Sequence, residues 1–160
     1  MDGAFDGLAF DVLTFQIAVD VADVAAVDAA LLARLAGDAP LAALLPGGVY
    51  LDTAPANETR FAIVEHRTHE DVEGFDTALY ETFQYRVTAR VLETTGVDAN
   101  AAAYRIHELL EDAPLAAIAG YAHMTTLRVD RIKRTEVDAI DNDLHWQHAG
   151  GDYEVFMSPT

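Results

Sequence analysis

Two His-x-x-His pairs hold the side chains best suited to chemistry. His66 and His69 are followed by Glu70 and Asp71, and His145 and His148 by Asp152. Imidazole and carboxylate both donate to zinc or iron, so each group has the composition of a metal site. Spacing separates them. Residues three apart on a strand point to opposite faces, so His145 and His148 are expected to diverge. His66 and His69 stand where a strand enters a loop, where convergence is allowed but not forced. A small metal-dependent enzyme using His66, His69 and Glu70 is one reading of these residues.

Other chemistries find less support. Cysteine is absent, which removes disulfides, zinc–thiolate sites and thiol nucleophiles. Ser158, the one serine, sits at the end of the chain, a poor place for a positioned nucleophile. Carboxylates are so abundant that no acid–base pair is distinguished. Gly47-Gly48 and Gly150-Gly151 read as turn glycines, not as a phosphate-binding loop. The expectation is therefore no catalytic residue, no metal and no cofactor.

Charge narrows the partners. The 160 residues carry a formal net charge of −17, and Lys133 is the one lysine. Phosphate contacts need Lys and Arg, so neither specific nucleic-acid binding nor an anionic membrane surface is expected. No apolar run approaches the ~20 residues of a membrane span. The first residues hold Asp2 and Asp6 and no basic residue, so a secretory signal is not expected. The acidity itself is explained equally well by solubility or by the composition of the host.

The elements follow from periodicity. From Leu8 to Val21 a strand-like alternation competes with helical spacing, and residues 1–22 read as an N-terminal arm; residues 23–160 read as one domain. Asp23 is a suitable N-cap for a helix with Val24, Val27, Leu31 and Leu35 on one face, stopped at Gly37. Asp38 and Pro40 start a short helix. Strands are expected at Val49–Leu51 and Phe61–Glu65. The charged run from His66 to Thr77 reads as a long exposed hairpin loop, and a strand with one wet face spans Leu79 to Glu93. Arg86 and Arg90 lie on that wet face, where they meet carboxylates either of a neighbouring subunit or of their own chain.

Asp98 or Asn100 caps a further helix carrying Ala102, Ile106, Leu109 and Ala113. Residues 112–118 nearly copy residues 38–44, through duplication or because Asp and Pro punctuate both helix ends alike. A strand is expected from Met124 to Arg134 and an acidic loop from Thr135 to Asp143. A Gly-Gly hairpin at 149–152 is expected between Leu144–His148 and Tyr153–Met157. The order predicts an α+β fold, a single mainly antiparallel β-sheet with two helices packed on one face. Leu31, Leu35, Tyr85, Val87, Ile106, Leu109, Trp146 and Val155 are the predicted core.

Several stretches taken together resemble a known family. Leu31–Leu45 (LLARLAGDAPLAALL) leads into Gly48–Pro55 (GVYLDTAP), then Phe61–Val64, and later Trp146–Val155 (WQHAGGDYEV). This order is similar to that of the tail-terminator or tail-completion proteins of tailed bacterial viruses, over about Ala25 to Met157. The resemblance implies a ring-forming subunit, six-fold, capping the tail tube between the tube protein and the neck or connector. It implies a virion location near the head–tail junction after synthesis in the host cytoplasm, and no catalytic residues. DNA would pass through the ring, whose negative wall would repel it. A neck or head-completion protein is the neighbouring alternative. On this reading Arg67, His69, Glu70, Asp71 and Phe75 of the charged run, Arg86 and Arg90, and Phe10 and Phe15 of the arm are the candidate partner contacts.

Overall fold

The computed structural model describes residues 22–74, 78–111 and 113–160. Helix α1 spans Val24–Ala36 and α2 spans Ala39–Leu44. They are followed by β1 (Val49–Leu51), β2 (Arg60–Glu73), β3 (Ala78–Glu93), α3 (Val97–Glu111), β4 (Tyr121–Val137) and β5 (His145–Pro159). The five strands form one sheet in the order β1-β2-β3-β5-β4. β1 runs parallel to β2, and every other pairing is antiparallel. The fold is α+β, with the two main helices expected, α1 and α3, and the expected short helix α2 between them.

Local chemistry starts the helices. The Asp23 side chain accepts from Ala25 N at 3.0 Å and Asp38 accepts from Leu41 N at 2.8 Å, each satisfying an amide the first helical turn leaves open. Arg105 braces Asp38 from α3 through both carboxylate oxygens, at 3.0 and 2.6 Å. That guanidinium holds the Asp38 carboxyl below the usual carboxylate range. α3 begins at Val97, earlier than its expected caps. Glu93 supplies the acceptor for Ala99 N at 3.0 Å, and Asp98 pairs with Arg60 instead. The two similar segments differ in structure: 39–44 is helical, whereas 113–118 is irregular backbone with Leu115 and Ile118 buried.

The core lies between the helices and one sheet face. Phe83, Tyr85, Val87, Ala89 and Val91 of β3 point into it, as do Tyr153, Val155 and Met157 of β5. Val27, Leu31, Leu35, Ile106 and Leu110 meet them from the helices. Tyr85 buries its ring and donates to Asp28 of α1 at 2.7 Å. Arg34 Nε donates to the Leu109 carbonyl at 3.1 Å, tying α1 to the last turn of α3. Of the expected core only Trp146 is misplaced: it is half-buried on the opposite face, edge-on to Phe61 at 6.0 Å. Leu109→Ala is expected to lower stability by about 2–5 kcal/mol, read as a lower urea midpoint with an unchanged slope. An unchanged midpoint would contradict this packing.

Two expected loops are strand. Residues 66–73 continue β2 and pair with β3 as far as Glu73↔Ala78. Charge there reflects an outer strand edge, because β1 covers β2 only over residues 62–64. The expected hairpin at 149–152 does not exist, since β5 passes straight through it. Its glycines answer crowding: a Cβ on Gly150 would sit 2.0 Å from the Val87 carbonyl oxygen, and one on Gly151 2.6 Å from that of Asp130.

Candidate assembly interface

The sheet face away from the helices holds a hollow lined mainly by basic residues. Arg86 and Arg90 of β3 lie on it, in register with Asp152 and His148 of β5, and Arg134 of β4 aligns with His148. A β-bulge between His66 and Thr68 leaves Arg67 as the extra residue, exposed at the rim. The sheet curls enough that β2 and β4, outer strands across this face, line one trough of about 550 Å³. Arg67, Arg86, Arg90, Arg131, Lys133 and Arg134 line it, six of the chain's ten basic residues. A second hollow of about 390 Å³ continues it, bounded by His66 to Thr68 on one side and Val129 on the other.

Three of these cations are held by their own chain. Arg86 makes a bidentate pair with Asp152 at 2.8 and 2.9 Å, which holds the Asp152 carboxyl below and the guanidinium above their ordinary ranges. Arg90 reaches Glu65 at 3.2 Å and Arg134 reaches Glu136 at 2.6 Å. Arg86 and Arg90 thus each have a carboxylate partner within their own chain. Burial pushes the His148 imidazole down, although Glu136 stands 3.4 Å away. On the trough floor, Thr88 Oγ1 and Arg90 Nε are buried with no hydrogen-bond partner among the described residues.

The histidine pairs behave as spacing and a bulge dictate. His145 pairs with Glu93 and His148 with Arg90, so they take opposite faces as expected. The bulge at Arg67 turns His66 and His69 to the same face, where both rings meet Phe83, at 6.5 and 4.3 Å. They do not gather Glu70, which is exposed and paired with Thr82, one step out of phase. His69 Nε2 instead lies 2.9 Å from Asp71 and 3.0 Å from Glu81. Among the described residues, these three are the group close enough to share an ion. Glu81 already accepts from Ala22 N with both oxygens, each at 3.1 Å. Its carboxylate thus already ties Ala22 and His69 together by hydrogen bonds. Phe75, Phe10 and Phe15 lie outside the described residues.

The model of the tail completion protein gp17 family matches residues 29–149, more than half of the chain. The chain belongs to this family. Tail completion proteins are structural components of a virion tail, and that is where this one is located. No curated relative matches the sequence. Among solved structures, a chain from the "virion of native gene transfer agent (GTA) particle" is similar at a TM-score of 0.61 and 19% identity. The likeness covers 89% of this chain and 98% of that one, and shows a common fold.

Sequence reading of this tail completion protein missed Glu81, because a lone Glu in an alternating strand looks solvated. It also missed the part played by Arg131, Lys133 and Arg134. The cluster Arg131-Ile132-Lys133-Arg134 was the available signal, conspicuous in a chain with so few cations. Among the described residues, no helix is long and apolar enough to cross a membrane.

Proposed function

We propose that this tail completion protein is the terminator of the tail tube, a non-enzymatic subunit that forms a homo-oligomeric ring and joins the tube to the neck or connector. The observation that carries the reading is the family match over residues 29–149. The fold shared with a virion chain supports it, and the formal charge of −17 suits a ring through which DNA slides without adhering. The tube protein, the connector and further copies of the chain are the proposed partners. In this reading the charged run from His66 to Thr77 touches a neighbour, and the arm of residues 1–22 docks as an added strand on an adjacent subunit or virion protein.

The test is a virus lacking this gene. Filled heads and separate tails of irregular length are expected, with joining restored by supplying the protein. Normal joined particles without it would overturn the proposal. Filled heads with unjoined tails of normal length would move the protein to the neck.

A further inference from the structure

We infer that the basic trough receives the acidic β4–β5 loop of a second copy of this chain. The inference rests on the ring reading above and names the two surfaces that would build the ring.

The loop is a prepared projection. Asp138 accepts from Ile140 N and Asp141 N, each at 2.9 Å, and from Trp146 Nε1 at 3.0 Å. Those backbone amides, with Trp146, hold the Asp138 carboxyl below the usual range. Asp141 in turn accepts from Asp143 N at 3.0 Å, and Leu144 N donates to the Asp141 carbonyl at the same distance. A loop fixed by its own hydrogen bonds loses little entropy on docking. At its tip Ile140 is 96% exposed, the most exposed large apolar side chain among the described residues. Asp141 and Asp143 stand beside it, also exposed.

The trough offers what this tip lacks. Arg67 lines it without an ion-pair partner among the described residues; Arg131 and Lys133, likewise unpaired, reach it from the edge strand, where they stand opposite Gly151 and Ala149 and border α3 as well. Thr88 Oγ1 and Arg90 Nε are buried donors in want of acceptors, which carboxylate oxygens would supply. Ile132, half-buried in the same trough, gives Ile140 an apolar neighbour. Of the four remaining cations, Arg34 is spent on Leu109, Arg60 on Asp98 and Arg105 on Asp38, while Arg128 borders α3 on the other side of the sheet. A basic hollow in a chain of net −17 is matched by this chain's own acidic projection. Two different patches meeting head to tail make a heterologous contact, the kind that closes into rings. Duplex DNA would also answer a basic trough, but the field of the whole chain opposes it.

Charge reversal decides the matter. One variant carries Arg67→Glu with Arg134→Glu, reversing the trough. The other carries Asp141→Lys with Asp143→Lys, reversing the tip. Circular dichroism first confirms that both are folded. Sedimentation against concentration should show self-association of each variant weakened about tenfold or more, while an equimolar mixture associates within about threefold of wild type, since each reversed surface then meets its complement. A wild type that assembles together with variants that assemble as well would overturn these surfaces and leave the ring standing. A wild type that stays monomeric at all concentrations would overturn both. Duplex DNA bound by wild type and lost with the reversed trough would assign the trough to a polyanion instead.

Discussion

Replacing Gly150 with alanine is expected to cost at least about 3 kcal/mol, near the upper end of what overpacking does. The added methyl would stand 2.0 Å from the Val87 carbonyl oxygen and 2.8 Å from the Thr88 Cα. Both obstacles are backbone of β3, the strand on which β2 and β5 pair. Neither can turn aside as a side-chain end would, so the clash must open the β3–β5 ladder between Val87↔Gly151 and Ala89↔Ala149. A control separates this from a general effect of losing glycine. A Cβ on Gly74 would meet only Leu79 side-chain carbons, at 3.1 Å and beyond, and Leu79 is exposed enough to move. Gly74→Ala should therefore lie within about 0.5 kcal/mol of wild type. Urea unfolding of the two variants checks this; equal midpoints would mean that the two strands are not so closely apposed.

The same glycines show where sequence reading stops. A Gly-Gly pair between alternating segments signals a two-residue turn, and the signal is local. Here the requirement is tertiary: the backbone of a second strand occupies the space of a side chain, which no window along the sequence contains. The run from His66 to Thr77 misled for a related reason. Its charges suggested a loop, yet an edge strand needs charged side chains to discourage wrong pairing, and among the described residues β2 has no outer neighbour there. What was legible was short-range. Asp23 and Asp38 cap the helices they were expected to cap, and β3 alternates as its residues imply. Arg86 and Arg90 were rightly placed on the wet face, but their own-chain partners Asp152 and Glu65 depended on strand order. The bulge that turns His66 and His69 together has no mark in the sequence, since neither glycine nor proline is near it.

Glu81→Ala is expected to cost about 3 kcal/mol, or roughly 6–12 °C in Tm for a chain of this size. Glu81 is 1% exposed on a strand whose inward neighbours are Phe83 and Tyr85. Its two oxygens take the Ala22 amide, just before the Asp23 cap of α1, and one of them also meets His69. Truncation leaves a buried amide in want of a partner, takes from His69 Nε2 one of its two carboxylate neighbours, and frees the start of α1 from the sheet. Glu81→Gln keeps an acceptor for Ala22 and should cost less than alanine. His69 stacks on Phe83 at 4.3 Å and 10°, so its ring has a packing role besides its hydrogen bond. The double variant Glu81→Leu with His69→Leu removes both polar partners and retains apolar volume. It should cost less than the sum of the two single changes, because the His69–Glu81 contact can be lost only once. Additive losses in that cycle would mean that the two side chains do not act on each other, and that Glu81 serves the amide of Ala22 only.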